Sequence, residues 1–289
     1  MRTLVVNADD FGLAPAVNQG IVDALLAGSV TSTTLMVNMP AAEEAAALAR
    51  AHPALGVGLH FNLTLGQPTA DVASVGSLVG ADGKFHPRGQ LARRLLLGRV
   101  DRAHITRELE AQYARCVALG IVPTHVDSHQ HAHAFPPVFD AVATLCARQG
   151  IPVRMPWLLE LPGSQPSLGR SLRQGVLRRM LRRNQRTWQG RVAWNQGLGS
   201  LFDLGVIPAQ PTLADYRRVL AAAGEGTFEL MVHPVRDASA VQGLTAIGHI
   251  SEAEWRLLTQ PGLPELARDM GFALGHYRSA FAGGANGAA

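Results

Sequence analysis

The stretch Leu4-Val5-Val6-Asn7-Ala8-Asp9-Asp10-Phe11-Gly12 decides the predicted fold. Its three aliphatic residues followed by polar residues and glycine are typical of a buried strand that ends in a turn, so we predict a strand over residues 2–8. Parallel α/β sheets and barrels have their active sites at the carboxyl ends of the strands. Asp9 and Asp10 are therefore candidates for an active site, although a helix N-cap or a simple turn would also explain an aspartate pair.

Strand-like and helix-like patterns alternate along the rest of the chain. Further strands are predicted over Val30–Val37, Leu55–Phe61, Pro123–Asp127, Pro152–Met155, Phe228–Val232 and residues 272–276. Helices are predicted over residues 15–28, 41–50, 89–98, 102–119, 137–149, 212–223, 251–260 and 263–270. This alternation predicts an α/β fold in which a parallel sheet with outer helices is closed or nearly closed into a barrel. We expect a single domain over residues 1–280 and a disordered tail over 281–289.

The composition is that of a folded protein with a well-filled core. Of the 289 residues, 47% are hydrophobic and 17% are charged, and the formal net charge is +4. Few aromatic residues accompany the basic segment Arg170–Arg191, which argues against a nucleic-acid partner. Cys116 and Cys146 lie in predicted helices and offer no disulfide framework. With no signal-peptide pattern and no apolar run near the roughly 20 residues that span a bilayer, we expect a cytoplasmic protein.

Histidines mark the ends of three other predicted strands. His60 lies at the end of the strand Leu55–Phe61, and His233 directly follows the strand Phe228–Val232. His129 lies just after the strand Pro123–Asp127. Because the carboxyl ends of parallel strands lie at one end of a sheet, we expect these imidazoles to share a site with the aspartates. A hydrogen-bonded core histidine at 60 and a structural histidine before Pro234 are the alternatives.

The segment His125–His133 holds four histidines and one aspartate. Such density indicates either metal binding or a solvated loop. We favour His129 as a ligand and Asp127 as the partner that orients an imidazole. His131 and His133 either line the mouth of the cavity or lie on the surface, and we assign His131 to substrate binding.

Arg154 ends the short strand that begins at Pro152. An arginine at a strand end can hold a carboxylate or polarise a substrate, and a surface ion pair is the competing interpretation. We assign Arg154, with His131, to substrate binding.

Together these residues indicate a metal-dependent enzyme. One aspartate and two histidines leave open coordination positions for water and substrate. Mixed oxygen and nitrogen ligands suit Zn²⁺ or another first-row ion better than calcium. The second aspartate could then act as a base, because a bound metal can bring the pKa of water to about 7. His233 is suited to protonate a leaving group near neutral pH.

Five motifs in order resemble the YdjC-like carbohydrate deacetylases, which include chitooligosaccharide deacetylases and a hopanoid-associated deacetylase. The resemblance runs from residue 4 to about residue 278. The motifs are Val6-Asn7-Ala8-Asp9-Asp10-Phe11-Gly12, Val30-Thr31-Ser32-Thr33-Thr34, Gly58-Leu59-His60-Phe61, Pro123-Thr124-His125-Val126-Asp127-Ser128-His129-Gln130-His131 and Glu229-Leu230-Met231-Val232-His233-Pro234.

The resemblance implies a distorted (β/α) barrel related to the polysaccharide deacetylases. It also implies hydrolysis of an N-acetyl group from an amino sugar or chitooligosaccharide, with release of acetate. By this resemblance Asp10, His60 and His129 are the ligands of one divalent ion, zinc or magnesium. Asp9 is the base that activates water, and His233 is the acid that protonates the leaving amine.

The chain departs from the family pattern in two places, and two alternative functions stay open. Gln130 stands where some relatives have a histidine, and residues 156–211 match least well, so the acceptor sugar is open. The first alternative is a hopanoid- or lipid-linked sugar deacetylase, with the basic run 169–191 on an anionic membrane rather than forming a solvated helix face. The second is a non-catalytic carbohydrate-binding barrel. The oligomeric state, a homodimer included, is not fixed by the sequence.

Overall fold

A parallel sheet forms the centre of the structure, a computed structural model that describes residues 2–161 and 168–282. The strands are Arg2–Phe11 (β1), Ser32–Leu35 (β2), Gly56–Phe61 (β3), Val126–Ser128 (β4), Gly197–Gly199 (β5), Gly226–Val232 (β6) and Phe272–Gly275 (β7). The helices are Pro15–Leu26 (α1), Ala42–Ala51 (α2), Arg88–Leu96 (α3), Arg102–Ala118 (α4), Pro136–Gln149 (α5), Leu168–Trp188 (α6), Leu213–Ala221 (α7), Gly248–Leu258 (α8), Leu263–Asp269 (α9) and Tyr277–Phe281 (α10).

The sheet curves into a barrel, as the sequence predicts. The strand order is β4-β3-β2-β1-β6-β5, and β7 pairs in parallel with the first half of β1. Single-residue bridges connect β4 with the segment just before β5, because Val153 pairs in parallel with both Val126 and Trp194. The predicted strand over Pro152–Met155 is thus reduced to one bridging residue, and the barrel is distorted where it closes.

The first strand is longer than predicted and carries the aspartate pair inside it. Its pairing with β2 changes register between Ala8 and Phe11, and Asp10 has a φ of 68°. In a regular strand neighbouring side chains point to opposite faces. The irregularity breaks that alternation. The sequence suggested a turn after the strand at this point, whereas a bulge-like distortion inside the strand orients the two carboxylates.

Helices cover the sheet and bury its aliphatic residues. Leu4, Val5 and Val6 of β1 are fully buried. A parallel sheet covered by crossover helices is buried on both faces, which explains the uninterrupted apolar runs in the sequence. Cys116 and Cys146 are buried free thiols, as expected for small core residues.

The long connection after β3 is held in place by α4. The buried Glu108 carboxylate accepts hydrogen bonds from the backbone N–H groups of Thr69 (2.8 Å) and Ala70 (2.9 Å). Gln112 exchanges two hydrogen bonds with the backbone of Asn62, at 3.0 and 2.7 Å. The connection is therefore fixed against the barrel by charged and amide side chains.

The basic segment forms most of the long helix α6. Arg183 forms a bidentate pair with Asp140, and Leu172 and Val176 are exposed on the helix. No helix in the described part of the chain is long and apolar enough to cross a membrane. Contact of α6 with a membrane surface stays a prediction.

The predicted C-terminal tail falls mostly outside the described residues. Phe281 still belongs to α10, where its ring stacks on Tyr277 at 5.7 Å between centroids. Residues 283–289 lie outside the described ranges, as do residues 162–167 within the stretch 156–211 that matches the family pattern least well.

Gly58 is required by the close approach of β3 to His125. A Cβ at this position would lie 2.5 Å from two ring atoms of His125 and 2.8 Å from its backbone oxygen. Glycine at this position therefore permits the close packing of the two segments. We expect Gly58→Ala to lower the free energy of unfolding by about 1–3 kcal/mol, measured by urea denaturation.

Gly76→Ala is the matched control, since a Cβ there meets nothing within 4 Å and the φ of –53° suits alanine. Equal stability of the two variants would contradict the packing argument.

Candidate active site

Three distant segments bring a carboxylate and two imidazoles together at the carboxyl end of the barrel. Asp10 Oδ1 lies 2.8 Å from His129 Nδ1 and 3.2 Å from His60 Nε2. The three ligand atoms lie within 4.8 Å of one another, and all three residues are nearly or fully buried. This is the set that the sequence resemblance implied as metal ligands.

The donor set fits a first-row divalent ion. Two imidazole nitrogens and a carboxylate oxygen meet at one point, which is the ligand chemistry that zinc and its neighbours accept. The second nitrogen of His129, Nε2, is buried without a hydrogen-bond partner among the described residues. Burial alone would raise the pKa of Asp10, but His129 and His60 lower it well below its usual range, so the carboxylate is ionised and able to bind a cation.

Asp127 orients the His60 ring, as the sequence suggested. Its Oδ1 lies 2.7 Å from His60 Nδ1, and Thr34 Oγ1 lies 3.0 Å from the same nitrogen. This arrangement leaves Nε2 of His60 facing Asp10. A carboxylate behind an imidazole is the usual support of a histidine ligand, because it fixes the tautomer and the ring orientation.

Asp9 is held on the other side of the same strand end by Arg154. The guanidinium donates to both carboxylate oxygens, at 2.7 and 2.6 Å, and Asn7 Nδ2 donates to Oδ1 at 2.8 Å. Burial opposes ionisation of Asp9, but the Arg154 charge and hydrogen bonds outweigh it and lower the pKa of Asp9 far below its usual range. Asp9 is thus an ionised, oriented carboxylate.

The structure gives Arg154 a different place from the substrate contact that we assigned to it. Its side chain is fully buried, and it contacts Asp127 (2.7 Å) and Glu229 (2.8 Å) in addition to Asp9. Every side of the guanidinium is occupied by protein carboxylates. Of the two roles considered, holding a carboxylate and polarising a substrate, Arg154 therefore has the first. No side of its guanidinium is exposed to a ligand.

His233 stands across from Asp9. Its Nε2 lies 4.0 Å from Asp9 Oδ2, and its Nδ1 is buried without a partner among the described residues. The backbone N–H of His233 donates to the buried carboxylate of Glu254 at 2.6 Å, which fixes the end of β6. A cavity of about 10 Å³, close to the space of one water molecule, lies against Asp9, Asp10 and His233.

The other histidines of the cluster have separate places. His133 is fully buried and binds the backbone oxygen of Arg154 through Nε2 at 2.9 Å, so it is structural and lies neither at a cavity mouth nor on the surface. His125 is also buried and stacks on Tyr277, 3.8 Å between centroids. His131 is half-buried beside His133, and its role in substrate binding stays a prediction.

Sequence reasoning missed two buried acids and their tyrosines. Glu229 accepts from Tyr277 and contacts Arg154, while Glu254 accepts from Tyr216 at 2.7 Å. The available signal at Glu229 was a charged residue inside the apolar strand Gly226–Val232, which has no reason to be there unless it is paired.

The comparison with known proteins decides the family. The family described as YdjC-like protein matches residues 3–269. The chain belongs to this family. A chitooligosaccharide deacetylase of Enterobacter sp. (strain 638) is 36% identical over 277 residues, covering 96% of this chain and 98% of the relative. A carbohydrate deacetylase of Geobacillus stearothermophilus is 52% identical over 153 residues, covering 53% of this chain and 59% of the relative.

The YdjC-like fold also has a solved counterpart. A crystal structure from Enterococcus faecalis V583, described provisionally as a cellobiose-phosphate cleavage protein, superimposes with a TM-score of 0.77 at 26% identity. The match covers 96% of this chain and 98% of that one. The chain spans about three fifths of the length of two relatives, the carbohydrate deacetylases of Geobacillus stearothermophilus and Brevibacillus brevis, at 52% and 49% identity.

The contact between Asp127 and His60 predicts that Asp127 contributes to metal affinity. We expect the purified chain to bind one divalent ion, with Zn²⁺ as the probe in isothermal titration calorimetry. Asp127→Asn should weaken binding by about 10- to 100-fold, because an amide orients the imidazole less firmly than a carboxylate.

Asp82→Asn, which changes an aspartate of an exposed turn, is the matched control and should bind as the unaltered chain does. Unchanged affinity in Asp127→Asn would separate Asp127 from the metal site.

Proposed function

We propose that this YdjC-like protein is a metal-dependent hydrolase that removes an acetyl group from an N-acetylated amino sugar or chitooligosaccharide. The observation that carries the proposal is the convergence of Asp10, His60 and His129 beside Asp9 and His233. The names of the relatives, carbohydrate deacetylase and chitooligosaccharide deacetylase, support the substrate class.

Asp10, His60 and His129 would hold the divalent ion, zinc or magnesium. Bound there, such an ion supplies Lewis-acid chemistry, polarising the acetyl carbonyl and lowering the pKa of water. The chain supports this by keeping Asp10 ionised and by fixing His60 through Asp127. Burial of the three side chains keeps bulk water from weakening these charges.

Asp9 is the proposed base. It accepts a proton from the water whose oxygen attacks the acetyl carbon. Arg154 and Asn7 fix both of its oxygens, so the carboxylate needs no reorientation when the proton arrives. The same contacts lower its pKa and make it a weak base by itself, so its action would depend on the acidity that an ion held by Asp10, His60 and His129 would give to water.

His233 is the proposed acid. When the carbon–nitrogen bond breaks, the amide nitrogen must take up a proton, and an imidazolium is suited to give one near neutral pH. The distance of 4.0 Å between His233 Nε2 and Asp9 Oδ2 supports an acid and a base that act from two sides of one small space. The products are acetate and a free amino sugar.

Substitution of the base and of a ligand should have different consequences. We expect acetate release from a panel of N-acetylated chitooligosaccharides, lost with a chelator and restored by a divalent ion. Asp9→Asn should lower kcat by about 10²- to 10⁴-fold while zinc binding persists, and His60→Ala should lose both. Asp82→Asn is the control for the loss of a carboxylate. Near-normal turnover by Asp9→Asn would remove Asp9 as the base.

The role of His233 can be tested with the leaving group. An aryl acetate leaves as a weakly basic phenolate and needs no proton, whereas an amide nitrogen does. We therefore expect His233→Ala to lower kcat on an N-acetylated sugar by about 10²-fold or more, and on 4-nitrophenyl acetate by much less. Equal losses on both substrates would mean that His233 does not act as the acid.

A further inference from the structure

One buried guanidinium holds three carboxylates beneath the site. Arg154 binds Asp9 through both terminal nitrogens, Asp127 through Nη1 and Glu229 through Nε. Arg154, Asp127 and Glu229 are fully buried, and Asp9 nearly so. Because one positive charge faces three carboxyl groups, the hold of Arg154 on any one of them depends on the charge of the other two.

Glu229 is the member of this group that has no assigned role. It lies in β6, and the groups facing it are Arg154 from the segment after β4, Tyr277 from α10 and Asp9 from the neighbouring β1. The Tyr277 hydroxyl donates to Oε2, and its ring is held by stacking on His125. Burial raises the pKa of Glu229, and the Asp9 charge adds to that effect, while Arg154 and Tyr277 act against it. The pKa that results is about 7.

We propose that Glu229 is a positioning residue for the reaction, which shares Arg154 with Asp9 and thereby sets how strongly the guanidinium holds the Asp9 carboxylate. An ionised Glu229 draws on the charge of Arg154 and leaves Asp9 a stronger proton acceptor. When Glu229 is protonated, the charge of Arg154 attracts Asp9 more strongly, and Asp9 becomes a weaker base. The proposal rests on the proposed function of Asp9.

Glu229 reaches the reaction only through Arg154. Glu229 Oε1 lies 2.8 Å from Arg154 Nε, on the edge of the guanidinium, and makes no contact with Asp10, His60 or His129 that the structure shows. A change at Glu229 should therefore alter kcat and its pH dependence more than KM or metal affinity.

The activity test uses the metal-loaded enzyme and two variants. We expect kcat of the unaltered enzyme to rise with pH through the neutral range as Glu229 loses its proton. Glu229→Gln imitates the protonated form, so its kcat should be about tenfold lower than that of the unaltered enzyme at high pH. The rise of kcat in the neutral pH range should be missing, and KM should stay within about twofold. Tyr277→Phe removes a hydrogen bond to the ionised carboxylate, so the rise should move to higher pH.

An infrared titration tests the coupling without turnover. The carbonyl band of a protonated buried carboxylic acid should disappear near neutral pH in the unaltered protein and be missing in Glu229→Gln. In Asp9→Asn the same band should disappear at least about one pH unit lower. Loss of the Asp9 charge lets Arg154 stabilise ionised Glu229 more strongly, which lowers the pKa of Glu229. Coupling of this kind is reciprocal, so the shift measures the effect of Glu229 on Asp9 as well.

The outcomes separate this inference from the proposed function. If the unaltered enzyme releases no acetate, the deacetylase proposal fails, and the infrared titration still decides whether Glu229 and Asp9 share Arg154. If Asp9→Asn leaves the Glu229 titration unmoved, or if Glu229→Gln lowers thermal stability while keeping the pH profile of kcat, Glu229 is structural and the inference is overturned.

Discussion

The site depends on the desolvated guanidinium of Arg154. Removing an arginine side chain from water is costly, and a buried ion pair recovers that cost only when its geometry is good and all its donors are used. Arg154 meets both conditions, because carboxylates from β1, β4 and β6 surround it and His133 fixes its backbone oxygen. The bridges of Val153 that close the barrel place Arg154 at this point. Closure of the barrel and assembly of the site are thus the same structural event.

The strained backbone at Asp10 serves the same site. A non-glycine residue with a positive φ is uncommon and costs on the order of 1–3 kcal/mol. Here it lies where the pairing of β1 with β2 changes register, between two carboxylates with different partners. Asp9 turns towards an arginine and Asp10 towards two imidazoles. Neighbours in a regular strand would have been separated by the sheet, so the distortion is what allows both to serve one site.

The sequence predicted the parts of this site that follow from position along a strand. His60, His129 and His233 were assigned to the site by the rule that parallel strands end at one edge. Asp127 was proposed as the partner of an imidazole because it lies in a segment with four histidines. The rule put Arg154 at a strand end but could not show that protein carboxylates enclose it, because those carboxylates come from strands about 75 and 145 positions away in the chain. Nor could it find the register change in β1, which depends on pairing with β2 rather than on local preference.

Charge balance connects the two halves of the site. Of four buried carboxyl groups in the described part of the site, those of Asp9, Asp127 and Glu229 contact the guanidinium of Arg154, and that of Asp10 contacts His60 and His129. A divalent ion at Asp10, His60 and His129 would raise the positive charge to three, which balances three carboxylates. The remaining carboxyl is then the one most easily protonated, and Glu229 is the member of the group whose pKa lies near 7. Buried charges are stable when they are balanced, so a proton on Glu229 and a cation bound beside Asp10 would be parts of one electrostatic arrangement.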